Sequence, residues 1–229
     1  MNVEVLADDG AVARAGAAFI AGEARAAVAA RGRFTVAFSG GRTPWVMLRA
    51  LAGTADVPWA SVHVFQVDER IAPAGDADRN LTHLRESLLD RAPLRPEQVY
   101  AMPVEFPDHA VAAARYAATL REVAGAPPEL DLVHLGLGPD GHTASLVPDD
   151  AVLGVANAEV AITGVYQGRH RMTLTYPTID GARCILWLVT GAEKAAMLAR
   201  LRRADPGIPA GRVRQANALV LADRAAAGA

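Results

Sequence analysis

The sequence predicts an α/β fold built on a mostly parallel, doubly wound, Rossmann-like sheet with helices on both faces. Short β-rich runs alternate along the chain with longer, alanine-rich segments, which is the order of strand–helix–strand units. The β-rich runs are continuously apolar, as strands covered on both faces are. The chain has 229 residues, of which 52% are hydrophobic, and this is enough for one large core. We therefore expect a single α/β domain over residues 1–229.

The individual elements follow from these runs, taken in chain order. The predicted strands are Val3–Leu6, Phe34–Phe38, Val62–Val67, Leu132–Leu137, Val160–Thr163, Met172–Thr175, Cys184–Val189 and Ala218–Leu221. The predicted helices are Gly10–Ala30, Pro44–Ala52, Leu81–Ala92, Asp108–Val123, Glu193–Arg203 and a short C-terminal turn. Alanine favours helix in these segments, and Asp108 is the expected N-cap of its helix.

The composition excludes several classes of protein. The net charge is −2, from 23 basic and 25 acidic residues, and no Lys/Arg-rich block marks a nucleic-acid binder. The single cysteine, Cys184, excludes an internal disulfide framework and an all-cysteine metal site. Because it lies in an apolar run, we interpret it as a small core residue.

No segment of the sequence predicts export or membrane insertion. The N-terminus carries Glu4, Asp8 and Asp9 rather than a basic patch before an apolar stretch, so it does not resemble a secretory signal. No uninterrupted apolar stretch reaches about 18 residues. A soluble, cytoplasmic protein is the expectation.

The strongest candidate for chemistry follows the predicted strand Leu132–Leu137. There the chain breaks into glycines and presents Asp140 and His142 beside small polar residues. Ligands of open α/β sheets bind at the carboxyl ends of strands, and histidine titrates near the pH of the cell. A structural histidine is the alternative, but the glycine-rich exit favours a functional one.

A second candidate is the segment Ser39–Pro44, which links a strand to a helix. Backbone N–H groups at a helix start bind phosphate, and Gly40 and Gly41 allow an anion to approach closely. Thr43 is the expected N-cap, Pro44 suits the first helical position, and Arg42 adds charge. The alternative is a tight turn without a ligand.

Further charged groups follow other predicted strands. Asp68 and Arg70 come directly after an apolar run, so they either reach the same sheet edge or form a solvated ion-pair cluster. Asn80 is a natural N-cap that also contacts a ligand if its helix borders the cleft. Arg171 and Lys194 are either surface charges or cations that hold a phosphate. The histidines form no HxxxH or HxH cluster, so no zinc site is predicted.

Taken together and in this order, these segments resemble the motifs of the 6-phosphogluconolactonase family. The matching segments are Ser39–Pro44, Asp68–Arg70, Leu135–Pro148, Arg171–Thr175 and Gly191–Lys194. The resemblance extends from about Val3 to the tail at Asp223–Ala226. Arg79 departs from the pattern, because the family commonly has a serine there.

The resemblance implies a sugar-phosphate isomerase-like fold and hydrolysis of 6-phospho-D-glucono-1,5-lactone without metal or organic cofactor. His142 is then the general base on water, with Asp68 or Asp140 orienting it or the sugar hydroxyls. The N–H groups of Gly138 or Gly141 are candidate oxyanion donors. The phosphate is expected on the Gly40–Thr43 loop. Its expected side-chain ligands are Arg171 and Lys194, with Arg70 and Arg42 as further candidates.

Two other functions remain open from the sequence. Glucosamine-6-phosphate deaminases share the glycine loop, the DGH-like motif and the Arg…Lys pair, but tend to carry DEY where this chain has Asp68-Glu69-Arg70. A sugar-phosphate sensor without catalysis is the other alternative, and retention of both Asp68 and His142 disfavours it. A physical association with glucose-6-phosphate dehydrogenase is a further possibility. No nucleic-acid or membrane partner is expected.

Overall fold

A seven-stranded, fully parallel sheet forms the centre of the protein, as the computed structural model of residues 1–228 shows. Its strands, in the order in which they lie in the sheet, are β1 (Asn2–Leu6), β10 (Ala218–Asp223), β9 (Cys184–Val189), β6 (Leu132–Gly136), β2 (Phe34–Phe38), β3 (Val62–Gln66) and β5 (Val99–Tyr100). Every neighbouring pair is parallel. The predicted α/β class is confirmed.

Helices cover both faces of this sheet. They are α1 (Asp9–Arg31), α2 (Arg42–Ala52), α3 (Asn80–Leu84), α4 (His109–Ala124), α5 (Tyr176–Asp180), α6 (Ala195–Arg202) and α7 (Arg224–Ala227). Asp8 caps α1, and Asp108 caps α4 as predicted, through its carboxylate and Val111 N at 3.0 Å. A π-helical turn over residues 85–89 extends α3. None of the helices within residues 1–228 is both long and apolar enough to cross a membrane.

Alternate residues of each strand face opposite layers of the core. In β2, Val36 and Phe38 pack with α1 and α2, whereas Ala37 packs with the layer that contains α4. Such continuous burial requires apolar residues at successive positions, because both faces of the strand are covered. This is why the strands could be recognised as unbroken apolar runs.

A second, three-stranded antiparallel sheet corrects the predicted arrangement. Its order is β4 (Asp68–Arg70), β8 (Arg171–Leu174) and β7 (Val160–Ile162). The predicted strands Val160–Thr163 and Met172–Thr175 therefore exist, but they lie outside the parallel sheet. The eight residues that join β7 to β8 are too few for a parallel crossover, so the two strands pair as a hairpin.

The strand order reverses between β2 and β6. From β2 the chain proceeds outward to β3 and β5, and from β6 it proceeds in the opposite direction to β9 and β10. The loops that leave β2 and β6 consequently diverge and open a crevice at the carboxyl edge of the sheet, where ligands bind in folds of this kind. Both glycine-rich segments singled out in the sequence lie at this crevice.

Candidate active site

His142 is brought to the crevice by the loop that leaves β6, and two glycines make its position possible. A Cβ atom on Gly138 would lie 2.1 Å from Nδ1 of His142. Gly141 has a φ of +83°, and a Cβ there would meet Ile208 at 2.6 Å. Larger residues at either position would displace the imidazole or the loop beneath it.

A carboxylate fixes the imidazole of His142. Oδ1 of Asp140 lies 2.5 Å from Nδ1 of His142 and also accepts the backbone N–H of His142 at 3.1 Å. Burial opposes ionisation of Asp140, but these contacts and the Tyr166 hydroxyl outweigh it and lower the pKa of the carboxyl. Of the two carboxylates expected from the sequence to orient His142 or the sugar hydroxyls, Asp140 is the one that contacts the imidazole, whereas Asp68 contacts Ser145 and Asn80.

Tyr166 completes this group, and sequence reasoning missed it. Its hydroxyl donates to Oδ2 of Asp140 at 2.9 Å. The available signal was Gly168 near the middle of the eight residues between the predicted strands Val160–Thr163 and Met172–Thr175, because glycine is common in hairpin turns. Recognising that hairpin would have placed Tyr166 at its tip.

Asp68 lies on β4 and is almost fully buried. Its carboxylate accepts from the Ser145 hydroxyl at 2.6 Å and from the Asn80 amide at 3.2 Å. Because Ser145 follows His142 in the same loop, the Ser145–Asp68 bond ties the β6 loop to the small sheet. Asp68 still borders the cavity that His142 lines.

The expected capping role of Asn80 is wrong. The start of α3 is capped by Glu69, whose carboxylate accepts the N–H groups of Asn80 and Leu81 at 2.7 and 2.8 Å. A fully buried carboxylate needs such donors, and the guanidinium of Arg79, whose Nε lies 3.1 Å from the Glu69 carboxylate, supplies the opposite charge. The Asn80 side chain is thereby free to donate to Asp68 and to accept from Arg70 at 2.5 Å.

The predicted capping role of Thr43 is also wrong. Helix α2 begins at Arg42 after Gly41, its first turn has no side-chain cap, and Pro44 is its third residue. The Thr43 hydroxyl instead bonds the Thr190 hydroxyl at 2.7 Å. The first N–H groups of α2 therefore keep no side-chain partner, which suits an anion at this helix start.

Three cations lie around the same crevice, namely Arg70, Arg171 and Lys194. Arg171 is nearly buried, donates to Oε1 of Gln167 at 3.0 Å, and stacks 4.9 Å from the centre of the Tyr166 ring. Burial and the nearby Arg70 guanidinium lower the pKa of Arg171. A desolvated cation beside another cation favours the binding of an anion.

One cavity of about 220 Å³ gathers these groups. It is lined by Ser39, Gly40, Gly41, Asp68, Arg70, Asn80, Gly136, Leu137, Gly138, Pro139, His142, Ala144, Arg171 and Lys194. All the site residues predicted from the sequence line it except Asp140, which lies behind His142, and Arg42 and Thr43. Those two border an adjoining cavity that shares Lys194.

Two features limit the chemistry of this cavity. The N–H of Gly138 donates to the His142 carbonyl at 2.8 Å, and the N–H of Gly141 donates to the Gly138 carbonyl at 3.1 Å. Neither is free to hold an oxyanion, so this expectation is not supported. Within residues 1–228, no group of three or more His, Cys, Asp or Glu side chains is placed to hold a metal ion.

Known proteins resemble this chain in sequence and in fold. The family model described as glucosamine-6-phosphate isomerases/6-phosphogluconolactonase matches residues 7–221. A 6-phosphogluconolactonase of Nostoc is 37% identical over 87% of this chain and 84% of its own length. One from Mycobacterium tuberculosis is 36% identical over 99% of this chain and 97% of its own. The crystal structure of 6-phosphogluconolactonase from Thermotoga maritima superposes with a TM-score of 0.86, at 27% identity, over 97% of this chain and 98% of that one. The chain therefore belongs to the glucosamine-6-phosphate isomerase/6-phosphogluconolactonase family.

Proposed function

We propose that this protein hydrolyses 6-phospho-D-glucono-1,5-lactone to 6-phospho-D-gluconate, the second step of the oxidative pentose phosphate pathway. The observation that carries the proposal is that a carboxylate-held imidazole, His142, shares one cavity with Arg171 and Lys194. A base and a set of cations in one cavity suit a substrate with a hydrolysable carbonyl and a phosphate. The similarity to proteins named 6-phosphogluconolactonase supports the same substrate.

His142 acts in this proposal as a general base. When Nδ1 carries its proton toward Asp140, Nε2 keeps its lone pair and takes a proton from water. The resulting hydroxide attacks the C1 carbonyl, and the protonated imidazole then donates to the ring oxygen as the C1–O bond breaks. A δ-lactone is an activated ester, so this route needs neither a covalent nucleophile nor a cofactor.

The phosphate is held at the other end of the substrate by Arg171 and Lys194, with Arg70 beside them. The uncapped start of α2 at Gly40 and Gly41 supplies backbone N–H groups to the same anion. Binding the phosphate fixes the lactone carbonyl relative to His142, so that binding energy remote from C1 supports the reaction.

The test is lactone hydrolysis by the purified protein, with the spontaneous rate subtracted. The wild-type protein is expected to accelerate hydrolysis, and His142→Ala is expected to lower kcat by about 10²–10⁴-fold. Near-normal kcat in that variant would contradict the role of His142. Ammonia release from glucosamine 6-phosphate would indicate a deaminase instead, and tight binding of 6-phosphogluconate without hydrolysis would indicate a sensor.

The phosphate ligands are tested with Lys194→Met and Arg171→Met. Each removes one cation, and the loss of a charge-assisted hydrogen bond is expected to raise KM by roughly 10- to 100-fold with a smaller effect on kcat. The control substrate is unphosphorylated glucono-1,5-lactone, with which neither variant should differ from wild type. Equal losses on both lactones would contradict the assignment. The cytoplasmic location and an association with glucose-6-phosphate dehydrogenase stay predictions from the sequence.

A further inference from the structure

We infer that Tyr166 is a positioning residue for the reaction. It holds Asp140 so that this carboxylate keeps Nδ1 of His142 directed at itself and leaves Nε2 to act as the base. The inference rests on the proposed role of His142 as the general base. Tyr166 does not line the cavity, so it acts through Asp140 rather than on the substrate.

The two oxygens of Asp140 have different partners. Oδ1 contacts Nδ1 of His142 at 2.5 Å, and Oδ2 accepts the Tyr166 hydroxyl at 2.9 Å. The hydroxyl also lies 3.4 Å from Nδ1 of His142, and the two rings meet edge to face with centroids 5.4 Å apart. Tyr166 thus contacts the far side of the carboxylate and one edge of the imidazole, and it restrains both.

Tyr166 is itself held by the hairpin between β7 and β8. Its N–H and C=O pair with those of Arg169, and the two residues between them, Gln167 and Gly168, have φ values of +52° and +80°. These are the left-handed conformations of a two-residue type I′ turn, which fixes hairpin register. Arg169 then anchors the turn through ion pairs with Asp76 at 3.0 Å and Asp78 at 2.9 Å.

The same tyrosine contacts the proposed phosphate ligand. The Arg171 guanidinium lies 4.9 Å from the centre of the Tyr166 ring, within cation–π range. Tyr166 is therefore a physical link between the Asp140–His142 pair and the cationic wall of the cavity. Tyr166→Phe keeps this stacking and removes only the hydroxyl, so it tests the contacts of the hydroxyl with Asp140 and His142 without disturbing Arg171.

Removing the hydroxyl has a predictable electrostatic effect. Asp140 loses a donor that stabilises its charge, and its negative charge then acts more strongly on His142. The protonated form of the imidazole is then favoured over the neutral base. The other ionisable side chains that face His142 across the cavity are Asp68, Arg70, Arg171 and Lys194, and Tyr166→Phe leaves all four in place.

The experiment compares Tyr166→Phe with Tyr176→Phe. Tyr176 lies outside the cavity and donates its hydroxyl to the Pro209 carbonyl at 2.8 Å, so its variant loses an equivalent bond elsewhere. The first readout is the titration of His142 by NMR without substrate, assigned with His142→Ala. The second is the pH profile of kcat/KM for the lactone.

Tyr166→Phe is expected to move the acid limb of the pH profile of kcat/KM to higher pH, with the NMR readout of His142 changing in the same direction. kcat at neutral pH should fall several-fold with KM unchanged, and Tyr176→Phe should match wild type. A His142 titration in Tyr166→Phe equal to that of wild type would overturn the inference. A wild-type enzyme that does not hydrolyse the lactone would refute the proposed function instead, and the NMR titration separates the two results.

Discussion

The two sheets that meet at the cavity are stabilised in different ways. The parallel sheet buries apolar side chains on both faces, such as Leu135 and Ile185 on one face and Leu186 on the other. The small antiparallel sheet buries charge: Asp68 and Glu69 are 4% and 0% exposed on β4, and Arg171 is 4% exposed on β8. The first sheet therefore provides the edge from which His142 extends, and the second contributes buried charged side chains, Asp68 and Arg171, to the same cavity.

Burying charge in the small sheet is unfavourable, and nearby hydrogen-bond donors offset the loss of hydration. Buried charges are tolerated only when they are paired and hydrogen-bonded. Asp68 and Glu69 each have several donors, most of them from the 66–81 segment and one from Ser145. Unpartnered polar atoms occur in both sheets, at the imidazole of His134 in β6 and at Nε of Arg171 in β8. Substitutions in each sheet test this difference.

The largest expected effect is a loss of stability in Arg79→Ala, which removes the cation that pairs with Glu69 of the small sheet. Arg79 is 1% exposed and pairs with Glu69 at 3.1 Å and with Glu105 at 2.6 Å. Removing it leaves the Glu69 charge buried without its counter-ion, which should lower the free energy of unfolding by about 3–5 kcal/mol. Urea denaturation measures the loss.

The control for that prediction is Arg95→Ala. Arg95 forms an ion pair with Glu97 at 2.8 Å, but both side chains are more than half exposed, so the expected change is below about 1 kcal/mol. Equal losses in the two variants would contradict the view that burial gives the Arg79 network its importance.

A smaller effect, on catalysis rather than stability, is expected at the edge of the parallel sheet from Gly138→Ala. The new Cβ would overlap Nδ1 of His142, and displacing a catalytic group by about 1 Å can cost roughly 100-fold in rate. Gly154→Ala is the matched control, because no atom lies within 4 Å of the added Cβ. A Gly138→Ala enzyme with wild-type kcat would show that the tight packing under His142 is dispensable.

An effect on stability that depends on pH is expected from His134, inside the parallel sheet. Burial lowers the pKa of this imidazole from 6.5 to about 3. Between those values the unfolded chain binds a proton at His134 that the folded protein does not, so stability falls as the pH falls, by up to about 1.4 kcal/mol per pH unit. His134→Leu should flatten this dependence in denaturation measured from pH 7 to 4. If the free energy of unfolding depended on pH equally in His134→Leu and in wild type, this role of His134 would be refuted.

The same contrast explains how much the sequence alone predicted. Strands of the parallel sheet, such as Phe34–Phe38, were recognisable because burial on both faces demands unbroken apolar runs. Asp140 and His142 were recognisable because glycines and a strand end mark a site. β4 was missed because its residues, Asp68–Arg70, are charged, and their burial depends on partners distant in the chain.

Local patterns also misassigned the two caps. Asn80 and Thr43 have the residue types of N-caps, but tertiary contacts give them other partners. Asn80 bonds Asp68, and Thr43 bonds Thr190, while Glu69 caps α3 from another strand. Propensity describes what a side chain does when nothing else competes for it, and at this site other side chains compete.

A crystal structure with 6-phosphogluconate bound tests the central claim most directly, because it locates both ends of the product. We predict that the phosphate lies against Arg171 and Lys194, and that the C1 carboxylate lies within hydrogen-bond reach of Nε2 of His142, directly or through one water. A phosphate beside His142, with C1 at the cationic wall, would contradict the account.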